Sequence, residues 1–123
     1  MPAPAGGFRR VTDRASFAAL RTAPRTRRGA LSVTYLAAPA GGTDVRVAFQ
    51  VGKASGAAVA RNRIRRRLRA GLRELQQRRQ LPPGTYLLGG RGSLATQPWP
   101  ELLADLTAAV AAATAGSAPE RAR

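Results

Sequence analysis

The stretch RVAFQVGKASGAAVARNRIRRRLRAGLREL, Arg46 to Leu75, changes its hydrophobic period part-way along. Up to Val51 the residues alternate. Val45, Val47, Phe49 and Val51 point one way and Arg46, Ala48 and Gln50 the other, which is the pattern of a strand. Further on, Ile64, Leu68, Leu72 and Leu75 recur at helical spacing, with Ala57 and Gly71 beside the stripe. A strand, a glycine-bounded turn and a long helix therefore follow one another. The helix is expected from about Ala57 to Arg79, where LPPG (81–84) ends it.

On the N-terminal side, LSVTYLA (31–37) also alternates, with Leu31, Val33 and Tyr35 on one face and Ser32, Thr34 and Leu36 on the other. APAGG (38–42) is turn chemistry, so this strand and the next are expected to pair as an antiparallel hairpin. Thr12 to Arg21 reads as a short helix capped by Thr12 or Asp13, with Phe17 and Leu20 on one face. APRTRRG (23–29), broken by Pro24, reads as a basic loop. On the C-terminal side, TYLLGG (85–90) reads as a short, largely buried strand and RGSLATQP (91–98) as a loop. WPELLADLTAAVAAA (99–113) is a helix. Pro100 suits its first turn, and Leu102, Leu103, Leu106 and Val110 form its apolar stripe. The order helix, strand, strand, helix, strand, helix suggests an α+β fold, a small two-layer sandwich of helices on a sheet. Residues 8–115 are expected to form one domain between flexible ends at 1–7 and 116–123.

Composition narrows the function. Lys+Arg is 21 against Asp+Glu 6, a net charge of +15, and all the basic residues but Lys53 are arginine. Self-repulsion on that scale points to an anionic partner, nucleic acid first and a membrane surface second. The chain has no cysteine and no histidine, which excludes disulfides, a thiolate nucleophile, a Ser-His-Asp triad and most transition-metal sites. No catalytic constellation and no metal site is evident. No apolar run approaches the length of a membrane span, and MPAPAGGFRR lacks the pattern of a signal peptide. A cytoplasmic location is the expectation.

The charge is concentrated in Ala58–Leu75, which carries seven arginines, one asparagine and one glutamate. Asn62, Arg65, Arg66, Arg69 and Arg73 fall on one face beside the apolar stripe, Arg63 and Arg67 flank its other side, and Arg61 precedes them. Residues one turn apart are about 5–6 Å from each other, a spacing that can straddle phosphates. An ordinary solvated face mixes acids with bases to gain i, i+4 pairs. Here Glu74 is the only acid between Asp44 and Glu101, so like charges are stacked instead. That asymmetry favours phosphate binding. The Asn62 amide suits a phosphate, a ribose hydroxyl or a base edge, and can also fix a neighbouring arginine.

Arg46 to Leu75 resembles the signature region of the bacterial ribonuclease P protein subunit: an extended strand, a lysine-bearing turn, and Gly-x-Ala-Val leading into an Arg-Asn-Arg helix. RRVTDRASFAAL is similar to that family's first helix, LSVTYLA to its first strand, and TYLLGGRGSLATQPWPELLADL to its last strand, turn and helix, so that the likeness covers about Phe8 to Ala113. It implies a central, mostly antiparallel sheet with a left-handed strand–helix–strand crossover, an exception to the usual hand. It also implies a role as the protein subunit of an RNA-based endoribonuclease. The catalytic RNA and its magnesium ions would then do the chemistry, and this chain would bind that RNA and the 5′ leader of precursor tRNA. By resemblance, Lys53, Arg61, Asn62, Arg63, Arg65, Arg66, Arg67, Arg69 and Arg73 dock on the RNA. Phe17, Arg21, Thr34, Arg46 and Gln50 form a leader cleft, and Arg9, Arg10 and Arg91 add further RNA contacts. No obligate protein partner and no membrane is implied.

The match departs from the family in places. Arg21 and Thr34 stand where aromatics are usual, and Gly52 and Ala54 flank Lys53 where the family has a Ser-Lys-Lys-like turn. A nucleotide-binding loop reading of GKAS fails, because Ala54 follows the lysine where Ser or Thr is needed. Trp99, between two prolines, reads as a packing anchor rather than a base stacker. The alternative is a ribosomal or other structural RNA-binding protein with no role in cleavage. A DNA-binding recognition helix and a membrane-surface helix fit less well, because a strand pair precedes the helix and its apolar stripe is narrow.

Overall fold

The computed structural model describes residues 8–115; the ends expected to be flexible, 1–7 and 116–123, lie outside them. In chain order the elements are β1 (Arg9–Arg10), α1 (Arg14–Thr22), β2 (Arg25–Arg28), β3 (Leu31–Ala37), β4 (Val45–Gln50), α2 (Ala58–Gln77), β5 (Gly84–Gly90) and α3 (Trp99–Ala115). Short 3-10 turns at Lys53–Ser55 and Gly92–Ala95 follow β4 and β5.

One sheet holds all five strands in the order β1-β4-β5-β3-β2. This corrects the expected hairpin: β3 and β4 do not pair, because β5 lies between them. It runs antiparallel to β3, with Tyr35 opposite Tyr86, and parallel to β4, with Val47 opposite Tyr86. By paired length the sheet is mostly antiparallel, and α2 makes the crossover between the parallel neighbours β4 and β5. β5 is paired at both edges and packed on both faces, with Tyr86 and Leu88 in the core and α1 against part of the other face, and Thr85, Tyr86, Leu88 and Gly89 are all buried. The expected basic loop at 23–29 is also corrected. Arg25–Arg28 is an edge strand, turned back on β3 through Gly29 at φ 58° and paired Arg25 to Thr34 and Arg28 to Leu31. Arg9–Arg10 adds a second edge, parallel to β4.

The two faces of the sheet differ. Val33, Val45, Val47, Tyr86 and Leu88 meet Ile64, Leu68, Leu72 and Leu75 of α2 and Leu102, Leu106, Ala109 and Val110 of α3 in the core. Leu31 and Leu94 close its end. Ala57, expected beside the α2 stripe, is the exposed residue that precedes the helix instead. On the other face α1 covers only part of the sheet with Ser16 and Leu20. Its start is fixed by Asp13, whose Oδ2 accepts from the Ser16 backbone N–H at 2.9 Å. Arg46 on β4 donates to Asp13 Oδ1 and to Ser16 Oγ, both at 2.9 Å, and so ties the helix to the strand.

Gly84 opens β5 at φ 146°, where a Cβ would lie 2.5 Å from the Leu36 carbonyl oxygen and from the Tyr35 ring. Only glycine fits there. The two tyrosine rings lie 4.9 Å apart, and their hydroxyls donate to the carbonyls of Pro83 and Pro82. That arrangement pins the LPPG segment which ends α2.

Candidate nucleic-acid interface

The arginines of α2 divide by what they touch. Arg65 is held in place: Nη1 donates to Asn62 Oδ1 at 2.8 Å and Nη2 to the Val51 carbonyl at 3.3 Å. The expectation that Asn62 fixes a neighbouring arginine matches this contact. Arg69 lies over the Phe49 ring, 5.2 Å from its centroid. Arg61 is half-buried, with Nε lacking a hydrogen-bond partner. Arg67 faces inward. It donates to the carbonyls of Leu94 and Gln97 and lies 6.0 Å from the Trp99 centroid, and burial followed by the Arg63 charge lowers its pKa. Its fork therefore ties α2 to the turn before α3, where Trp99, expected to be a packing anchor, stays 37% exposed. Arg63, Arg66 and Arg73 are exposed and make no hydrogen bond or ion pair among the described residues. Like Asn62, they are open to a ligand.

Beside these arginines is a cleft. The short β1 pairs only with Arg46 and Val47, and the following Val11 N–H reaches the Val47 carbonyl, so the edge of β4 from Ala48 onward is open. There, between α1 and α2, a cleft of about 530 Å³ is lined by Phe8, Phe17 and Phe49, by Val11, Val47 and Ala48, and by Arg9, Arg10, Arg65 and Arg69. The chain has three phenylalanines, and all of them are in this lining. Phe17 is 36% exposed, so it rims the cleft rather than filling the core. Arg65 and Arg69 also border a groove on the outer surface of α2 with Val59, Asn62 and Arg66. Val59 is 80% exposed.

Other expected site residues are elsewhere. Arg21 is exposed one turn beyond Phe17, and Gln50 is exposed at the end of β4. Thr34 is buried in the sheet and does not line the cleft. Arg46 is engaged at the start of α1 and also lines a hollow beside the 38–44 loop. Lys53 is exposed on a 3-10 turn whose Ser55 Oγ donates to the Gly90 carbonyl at 2.7 Å. Arg91, also exposed, follows directly after that carbonyl, so the two cationic turns are tied together. Sequence reasoning missed Phe8, Phe49 and Val59. Alternation assigned Phe49 to the buried side, and only the short β1 leaves its strand end open.

The Ribonuclease P family model matches residues 7–114. The chain belongs to the ribonuclease P protein family. Curated relatives named ribonuclease P protein component include one from Caulobacter vibrioides, 34% identical over 103 residues, covering 84% of this chain and 69% of that protein. One from Synechococcus sp. is 40% identical over 111 residues, covering 86% and 79%. Solved ribonuclease P proteins share the fold. The Staphylococcus aureus protein superposes with a TM-score of 0.68 at 17% identity, covering 85% of this chain and 94% of that one. The Thermotoga maritima protein gives 0.67 at 18%, covering 82% and 94%. As a ribonuclease P protein, the chain is a component of the RNA-based endoribonuclease of tRNA 5′ maturation and the partner of the ribonuclease P RNA. Among the described residues no group of three or more His, Cys, Asp or Glu is placed to hold a metal ion. No described helix is long and apolar enough to cross a membrane.

Proposed function

We propose that the exposed arginines of α2 and Lys53 dock on the ribonuclease P RNA, and that the phenylalanine cleft receives the single-stranded 5′ leader of precursor tRNA. The observation that carries this reading is the convergence of Phe8, Phe17 and Phe49 with four arginines at an open strand edge. Aromatic faces stack on unpaired bases of any identity, and guanidinium groups neutralise the phosphates between them. A duplex, whose bases are already stacked, gains nothing from such a surface. Arg65 and Arg69 border both the cleft and the outer groove of α2, so leader and catalytic RNA meet along one row of side chains. Magnesium belongs to the RNA in this reading. The protein works in the cytoplasm without an obligate protein partner, and it contributes by positioning the leader rather than by reacting with it.

The test is cleavage of a precursor tRNA by a bacterial ribonuclease P RNA at low magnesium, with and without this protein. Faster leader removal is expected, and Phe17→Ala should weaken binding of leader-bearing substrate on the order of tenfold, the loss of one stacked base at about 1–3 kcal/mol. Mature tRNA should bind as before. Equal loss for both would refute the cleft assignment. RNA binding with no gain in cleavage would instead fit a purely structural RNA-binding protein.

A further inference from the structure

β4 pairs with β5 only as far as Gln50, opposite Gly89. The peptide between Gly90 and Arg91 sends its N–H to the Ala30 carbonyl at 3.0 Å, so its C=O points the opposite way, toward the place that β4 has left. Ser55 supplies the missing donor. Its Oγ donates to the Gly90 carbonyl at 2.7 Å, and the residue is 5% exposed. Gly92 closes the same junction from the other turn. A Cβ there would lie 2.8 Å from the Ser55 carbonyl oxygen, so the two backbones are in direct contact.

Each of these turns carries one exposed cation on a fixed backbone. The Lys53 carbonyl accepts from the Gly56 N–H at 3.1 Å, and the Arg91 carbonyl from the Leu94 N–H at 3.0 Å. Neither cationic side chain makes a hydrogen bond or ion pair among the described residues. A buried hydroxyl needs a partner in any fold, and pairing with Gly90 alone would account for a serine. It does not account for where the contact falls. Lys53 is two residues before the hydroxyl, Arg91 one residue after the carbonyl, and this is the one side-chain hydrogen bond that residues 52–56 donate among the described residues. The bond thus joins the mounts of two unpaired like charges, which repel until an anion lies between them.

We propose that Ser55 is a positioning residue for RNA docking: it sets the spacing of Lys53 and Arg91 so that both engage phosphates of the ribonuclease P RNA as one unit. The inference rests on the docking reading above and extends it to a coupled pair. On independent turns, each cation would have to order its own mount when RNA binds. On a common mount, the second contact follows the first at little further loss of freedom. Ser55 itself touches no RNA, because its hydroxyl is engaged by Gly90 and the residue is buried.

The experiment is a double-mutant cycle on binding to a bacterial ribonuclease P RNA. Wild type, Lys53→Gln, Arg91→Gln and the double variant are each titrated with the RNA, and the four titrations are repeated in a Ser55→Ala background. With Ser55 present, the double variant should lose about tenfold less affinity than the product of the two single losses, since removing either cation disables the pair. With Ser55→Ala the single losses should simply multiply. A serine that only satisfies a carbonyl would lower the melting temperature and leave the coupling factor alone. An unchanged factor in Ser55→Ala therefore overturns the proposal, and so do independent losses with Ser55 in place. Should Ser55→Ala fail to fold, Gly92→Ala carries the same expectation, because its Cβ pushes the turns apart and leaves the hydroxyl present. Arg66→Gln separates this proposal from its parent. If it weakens binding while Lys53→Gln and Arg91→Gln do not, the docking face stands and the pair falls. If none of the three changes affinity, the docking reading itself falls.

Discussion

Asn62 Oδ1 accepts from Arg65 and sets the direction in which that guanidinium points. Removing the amide and removing the charge should therefore differ. Arg65→Gln should weaken RNA binding and lower its salt slope by about 0.9, one phosphate's worth of counterions. Asn62→Ala should weaken binding several-fold and leave the slope nearly unchanged, because the count of cations is the same. Binding isotherms over a salt series separate the two, and parallel slope changes would make Asn62 a bystander. Arg67 obeys a different rule. With its fork on two carbonyls, Arg67→Ala should cost about 2 kcal/mol of stability, the order expected for charge-assisted hydrogen bonds, and should lower the denaturant midpoint. RNA salt dependence should barely move. A spacing argument that assigns every arginine of the helix to RNA cannot see this. Arg63 and Arg67 flank the same side of the stripe, yet only one of them reaches a carbonyl.

The elements are fixed by a few local devices. At the start of α1, Ser16 first and then Arg46 hold the Asp13 carboxyl at about 2, below its ordinary 3.8. A depressed carboxylate stabilises the fold fully above its unfolded pKa, and that contribution fades as pH falls through the folded one. Stability should thus decline between about pH 4 and pH 2. Asp13→Asn, which keeps an acceptor but no charge, should flatten that part of a melting profile; an unchanged profile would mean the contact is not formed in solution. At the start of β5, Gly84→Ala should cost about 2–4 kcal/mol, since it combines a left-handed backbone with a clash against the Leu36 carbonyl. Existence and type of the long elements were legible in period alone, and α2, β3, β4 and β5 all appear close to where their patterns end. Partners were not. Alternation says that a residue faces a core but not which strand lies beside it, so two strands with a turn-like connection read as neighbours. The unbroken apolar run YLLGG was the available sign of a central strand. β2 was illegible because RTRR has no apolar face, and its extended form comes from register with β3.

At the scale of the whole molecule, a chain of net charge +15 with three exposed acid–base pairs among its described residues is held together against its own field. Replacing chloride with sulfate or phosphate at constant ionic strength should raise the melting temperature, because multivalent anions bind the folded basic surfaces and stabilise by mass action. An equal melting temperature in both salts would show that these surfaces have no affinity of their own for phosphate-like groups. The broad function was readable from charge, motif and element order. The cleft was not, because Phe8, Phe17 and Phe49 come from three separate segments and meet only through the short β1. The cleft is built from β1, β4 and the two helices beside them, β2 and β3 form the other side of the sheet, and β5 is what joins the two groups. It is also the last strand the ribosome delivers. Until residue 90 has emerged, the inner edges of β3 and β4 face no partner, and the two halves have no common frame. A nascent chain therefore holds two unphased basic fragments, and the spacing between them arises in a single late step of folding.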